Sequence, residues 1–155
     1  MAVNLRGTYV CTCACLPHLK RASNPHVLTI APPLAMNPSW YGKYPAHAIS
    51  KAGMTMCTLG VAEAFREAGI AANTLWPRTL IATTAANVFF PEQVVATRRP
   101  EIMADAAYVI AMKNSREVTG NCFIDDEVLR AEGVTNLDRY SSIPGAALAA
   151  DLYLD

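Results

Sequence analysis

"AHAISKAGMTMCTLGVAEAFREAGIAANTLWPRT", residues 46–79, decides the fold. Small and apolar residues come first and the charges gather late, at Glu63, Arg66 and Glu67, as in a helix with one covered face. We expect that helix over Ala46 to Ala68, closed by Gly69, the residue that most readily turns left-handed at a helix end. "IAANTLW", Ile70 to Trp76, then reads as a strand, stopped by Pro77, which has no backbone N–H to give a ladder. A long helix feeding a short, largely apolar strand is the unit from which parallel sheets are built.

The same alternation extends in both directions. Upstream, "HVLTIA" (His26 to Ala31) is a β-branched run between Pro25 and the pair Pro32 and Pro33, expected as a buried parallel strand. Before it, Gly7 to Arg21 reads as a buried helix, stopped by Ser23, Asn24 and Pro25. A proline-punctuated loop runs from Pro32 to about Pro45. Downstream, helical segments are expected over Ala82 to Phe90 and Pro91 to Thr97. A further helix is expected over Pro100 to Lys113, with Pro100 in the first turn and Glu101 favoured by the helix dipole. "GNCFIDD", Gly120 to Asp126, supplies a third strand, and Glu127 to Glu132 a short helix. The tail from Val134 carries no clear period. These elements make an α/β domain with about three parallel strands and flanking helices.

Composition narrows the function. The 155 residues are 52% hydrophobic and 17% charged, with 13 basic against 13 acidic side chains, so no electrostatic partner such as nucleic acid or an anionic membrane is implied. A small molecule or another protein is the expected partner. No apolar run reaches the roughly 18 residues of a membrane helix, and no signal-peptide pattern opens the chain, so a cytoplasmic protein is expected. The odd count of five cysteines, Cys11, Cys13, Cys15, Cys57 and Cys122, points to reduced thiols. Of Cys11, Cys13 and Cys15 only the first and last share a helix face, and no second Cys or His cluster accompanies them. They are expected as buried apolar side chains, with no metal site.

"VNLRGTYV", "HVLTIAPPL", residues 46–79 and "REVTGNCFIDDEVL" together resemble the C-terminal half of a short-chain dehydrogenase/reductase. The phrases "PPL", "LWP" and "TGN" are most similar to its hydroxysteroid-dehydrogenase-like branch. The resemblance implies the C-terminal half of a Rossmann-like doubly wound sheet and NAD- or NADP-linked interconversion of carbonyl and alcohol. It also implies a tetrad of asparagine, serine, tyrosine and lysine. The tyrosine exchanges the proton, the lysine lowers its pKa and holds the ribose, the serine orients the substrate oxygen, and the asparagine supports a relay water. Tyrosine and lysine stand four apart because i and i+4 share a helix face. Carried over, Asn4 takes the asparagine position and Lys51 the lysine position. Ala31 stands at the serine and His47 at the tyrosine. Pro77, with Thr79 or Thr83, would meet the carboxamide end of the cofactor.

The departures alter the expected chemistry. Ala31 offers no hydroxyl, and an imidazole at position 47 is shorter than a phenol, although a competent acid or base whose pKa Lys51 would lower. Tyr41 and Tyr44 lie nearby at a spacing that does not match the tetrad. The eight glycines form no phosphate-binding fingerprint, so residues 1–155 are expected as a single domain lacking the cofactor-binding half. An open sheet edge and the helices over 7–21 and 46–68 then imply a homo-oligomer, or a partner chain supplying that half. Three readings stand: an oxidoreductase relative with weakened or lost dehydrogenase activity; a non-catalytic oligomeric scaffold; and a cofactor-independent lyase or isomerase in which His47 moves a proton. Trp40, Trp76, Phe89 and Phe90 are candidates to line a pocket over residues 32–45 and 81–97, which show no substrate preference.

Overall fold

The structure is a computed structural model that describes residues 1–154; residue 155, the end of the expected domain, lies outside the described residues. Three parallel strands run in the order β1 (His26–Ile30), β2 (Ala71–Trp76), β3 (Cys122–Ile124). His26 pairs with Ala71 through to Ile30 with Leu75, and Thr74 pairs with Cys122 through to Trp76 with Ile124. The central strand is buried at all six residues because helices α3 (Pro45–Ala64) and α5 (Glu101–Met112) both pack on it. Leu75, Ile102, Ala106, Ile110, Val128 and Leu129 form the larger core cluster. Each of the leucine, isoleucine and valine side chains contributes on the order of 1.5–3 kcal/mol by leaving water.

Polar ties fix the layers. Thr58 Oγ1 donates to Thr29 Oγ1 at 2.8 Å and Thr55 Oγ1 to the Pro32 carbonyl at 2.7 Å, which holds α3 against β1 and the loop beyond it. The fully buried Asn73 donates to the Val118 carbonyl at 2.8 Å and accepts from the Asn121 backbone N–H at 2.9 Å, joining β2 to the approach to β3.

Several expectations need correction. α3 ends at Ala64, four residues early, and Gly69 instead closes the following turn. Its φ of +73° is left-handed, and a Cβ there would come within 2.7 Å of the Arg116 guanidinium. β1 is half-buried rather than buried, with Ile30 44% exposed, because it pairs on one side only. The third strand is shorter than expected: Asp125 and Asp126 open helix α6 (Asp125–Ala131), where acidic groups suit the helix start and Asp125 Oδ1 accepts from the Asp126 N–H at 2.7 Å.

The N-terminal helix α1 (Gly7–Leu19), led by a π-helical turn over Ala2–Arg6, is exposed rather than buried; Thr12 alone is buried along it. It touches α3 and β1, and most of its remaining apolar surface has no cover among the described residues. Cys11, Cys13 and Cys15 are therefore exposed, contrary to expectation. The proline-rich loop contains a short helix, α2 (Pro38–Lys43), started by Asn37 accepting from the Ser39 N–H at 3.0 Å. The helix expected from Ala82 is the shorter α4 (Thr84–Phe89), and Pro91–Ala96 is a 3₁₀ helix. The tail returns across the sheet end through bridges Arg98–Ser141 and Thr79–Ala150.

Candidate active site at the carboxyl ends of the strands

Ile30, Trp76 and Ile124 are the last residues of the three strands, and Lys51 reaches this end from α3. Its ammonium donates to the Ile30 carbonyl at 2.8 Å and lies 4.9 Å above the Trp76 ring. Burial holds its pKa below the ordinary lysine value, an effect opposed by the Asp151 carboxylate. Ala31, the next residue after β1, is fully buried, and its methyl group supplies no hydrogen bond. His47 stands one turn before Lys51 and is exposed over part of its surface. Burial of the rest of the ring, then the Lys51 charge, lowers its pKa, so the imidazole is neutral near pH 7.

Asn4 arrives through a close approach. The Ala2–Arg6 segment packs on α3 where Gly53 leaves room for Leu5: a Cβ at Gly53 would stand 2.9 Å from the Leu5 side chain. Asn4 Nδ2 then donates to Ser50 Oγ at 3.1 Å, and Ser50 Oγ donates to the His47 carbonyl at 2.8 Å. Asn4 is thus linked through Ser50 to the α3 turn that carries His47 and Lys51, and Lys51 is tied to Ile30, the neighbour of Ala31.

The other expected residues divide. The hydroxyl of Thr79 is buried without a partner, at the turn after Pro77. Thr83 is exposed, and its hydroxyl caps α4 by accepting from the Ala86 N–H at 3.2 Å. Arg78 instead ties the turn after β2 to the start of α6: its N–H donates to Asp125 Oδ1 and its Nε to Asp126 Oδ1, both at 2.9 Å. Tyr41 is engaged with the Ala35 carbonyl and does not reach His47. Trp40 and Trp76 converge, whereas Phe89 is 74% exposed.

The residue missing from the sequence reading is Tyr153. Its hydroxyl lies 2.5 Å from His47 Nδ1, and its ring packs with Trp40, Ala48, Trp76 and Ile124. The tail is held by bonds from Leu80 N–H to the Ala149 carbonyl, Asp151 N–H to the Arg78 carbonyl and Trp76 Nε1 to the Leu152 carbonyl. Asp151 comes with it, and burial raises its carboxyl to about pH 6. An aromatic residue between two leucines in "DLYLD" was the available signal, but nothing in it specifies a partner 106 residues away.

These residues fit one end of a dinucleotide only. Lys51 and the orphaned Thr79 hydroxyl suit the nicotinamide–ribose end, but Thr83 is spent on a helix cap and no glycine-rich turn is present to receive phosphates.

A parallel sheet ending in a lysine–histidine helix turn defines the class: an α/β chain like the short-chain dehydrogenases. A crystal structure of a provisionally named dehydrogenase from Xanthomonas campestris superposes with a TM-score of 0.94 at 48% identity, covering 99% of this chain and 56% of that one. A short-chain dehydrogenase from Mycobacterium thermoresistibile gives 0.89 at 45%, covering 99% and 55%. Within the class, the chain is similar to part of proteins named hydroxysteroid dehydrogenase-like protein 2, which supports a short-chain-dehydrogenase-like branch. It is 45% identical to hydroxysteroid dehydrogenase-like protein 2 of Danio rerio and 44% identical to that of Homo sapiens, in each case over all of this chain and 37% of the relative. No protein-family model matches the chain. No helix among the described residues is long and apolar enough to cross a membrane.

Proposed function

We propose that the chain carries the substrate side of an NAD- or NADP-linked site for carbonyl and alcohol interconversion, altered so that its own dehydrogenase turnover is weak or absent. The dehydrogenase relatives support an oxidoreductase ancestry and NAD(P) use in the family. The observation that carries the reading is the Lys51 ammonium on the Ile30 carbonyl beside a methyl at Ala31 and an imidazole at His47. In this reading Asn4 and Lys51 are the surviving site groups, supporting His47 at the tyrosine position, and Pro77 and Thr79 face the carboxamide. Residues 1–155 then act as one cytoplasmic unit whose phosphate-binding turn comes from elsewhere, on the same polypeptide or another.

The test joins this chain to the glycine-rich half of the Xanthomonas campestris relative and measures NAD(P)H-dependent reduction of a broad-specificity diketone. Restoring both positions, His47→Tyr with Ala31→Ser, should raise turnover by at least about 100-fold, the scale of a positioned general acid. Equal rates in the restored and unrestored chains would overturn it.

A second reading concerns assembly. A groove of about 960 Å³ between the N-terminal segment and α3, lined by Leu5, Tyr9, Leu16, Met56, Val61 and Phe65 among others, favours self-association through these helices. Sedimentation velocity should report a dimer or larger, and Met56→Lys should shift it to monomer; a monomer in the unaltered chain rejects the reading. Cofactor-independent proton transfer by His47 remains the alternative chemistry, favoured by its contact with the Tyr153 hydroxyl. A metabolite screen in which His47→Ala changes nothing would reject it.

A further inference from the structure

Tyr153 sits in the site as a bound molecule would. Its ring is edge-on to Trp40 at 5.6 Å between centroids, stacked on His47 at 5.6 Å and tilted against Trp76 at 6.2 Å. Its hydroxyl is 2.5 Å from His47 Nδ1 and the residue is only 5% exposed. The space left beside it is a cavity of about 10 Å³ against Pro32, Tyr41, Ala48 and Ala52, too small to hold a water comfortably. The side chain therefore fills the site.

The backbone that delivers it is strained. Tyr153 is the one described non-glycine residue with a positive φ, at 67°, a conformation an aromatic residue keeps only where its surroundings impose it. Around it the tail has neither helix nor strand and is held by few backbone bonds, among them Asp151 N–H to the Arg78 carbonyl. An anchored side chain on a strained, lightly held segment is suited to exchange.

We propose that Trp40, His47 and Trp76 form a phenol-binding subsite, occupied in this structure by the chain's own Tyr153, and that its exchangeable ligand is a para-substituted phenol. Flat aromatic walls select a ring. A neutral imidazole presents one acceptor nitrogen, which suits a single hydroxyl donor. The methyl groups of Ala48 and Ala52 add no further polar partner. A compound with one hydroxyl on a ring is matched, whereas a polyol or a carboxylate is not.

The inference rests on the proposed function only for the position of the site beside Lys51, and binding reads it without turnover. Trp40 and Trp76 are the protein's two tryptophans, so intrinsic tryptophan emission reports this subsite alone. In full-length Tyr153→Ala, p-cresol should change that emission saturably, at concentrations at least about tenfold below those needed in the unaltered chain, where the tail competes at high effective concentration. Toluene, lacking the hydroxyl, should bind Tyr153→Ala more weakly than p-cresol, and adding His47→Ala should abolish that preference. If Tyr153→Ala fails to fold by circular dichroism, Tyr153→Phe keeps the ring and loses the hydroxyl bond; p-cresol should then enter at lower concentration than in the unaltered chain. Identical p-cresol titrations in variant and unaltered chains, or no preference over toluene, would overturn the proposal. Binding of p-cresol with equal NAD(P)H-dependent turnover in the restored and unrestored joined chains supports the subsite and counts against the dehydrogenase reading; a gain on restoration without p-cresol binding does the reverse.

Discussion

Replacing Asp151 by asparagine should stabilise the fold near pH 7 and leave it unchanged near pH 4. Burial raises this carboxyl from 3.8 to about 6; the Leu152 N–H bond opposes the rise, the Asp125 charge adds to it, and the Lys51 ammonium again opposes it. The unfolded chain titrates the same group near the ordinary value of about 3.9. Because the folded pKa is the higher one, the stabilising contribution is full below about pH 4, where both states hold the proton. It is lost as the pH rises to about 6, because the unfolded chain releases its proton first. The interval is worth about 3 kcal/mol at about 1.36 kcal/mol per pKa unit. Asparagine cannot ionise, and its Oδ1 can still accept from the Leu152 N–H, now at 2.6 Å. It also withdraws the charge that supports protonated Lys51, so the net gain near pH 7 should be about 1–2 kcal/mol. Urea unfolding of both chains at about pH 4, 5, 6 and 7 measures it. The stabilities should coincide at the acid end and diverge upward. A pH-independent difference, or a less stable variant at pH 7, would refute the reasoning that this carboxylate is ionised against burial.

Three further outcomes follow from the packing. Asn73→Ala leaves the Val118 carbonyl and the Asn121 N–H unpaired in the interior and should cost about 2–4 kcal/mol in the same denaturation experiment. Gly53→Ala puts a Cβ 2.9 Å from a Leu5 methyl; the flexible Leu5 tip can shift and alanine favours the helix by about 0.5–1 kcal/mol, so stability should change by less than about 1 kcal/mol while heteronuclear NMR shows shifts at Asn4 and Ser50 as their hydrogen bond adjusts. The imidazole of His47, titrated by NMR, should show a midpoint below about 6.5, since burial and the Lys51 charge both disfavour its protonation; a midpoint at or above that value would contradict the site's electrostatics.

Much of the site was legible because it is local. His47 and Lys51 lie one helical turn apart whatever surrounds them, and Ala31 follows a strand that its flanking prolines delimit. The α3–β2 unit was readable for the same reason, since helix period, late charges and a terminating proline are properties of contiguous residues. Errors arose where burial depends on distant partners. The apolar make-up of Gly7 to Arg21 predicted a buried helix, yet α1 is exposed apart from Thr12, because apolar composition alone does not fix what packs on a helix. β1 looked like an interior strand because hydrophobicity does not reveal how many neighbours will pair with it. Asp125 and Asp126 read as the end of a strand, whereas the helix start claims them once α6 forms.

By itself the sequence determined the α/β alternation, the order of the strands' helices and the chemistry of the α3 turn, because each rests on interactions within a few residues of chain. The tertiary structure alone decided that Tyr153 stands against His47, that Asp151 is buried near Lys51, and that α1 lies open. Those outcomes depend on how the tail and the first helix fold back over distances at which local propensity carries no information, and where packing, desolvation and a handful of backbone hydrogen bonds select the partner.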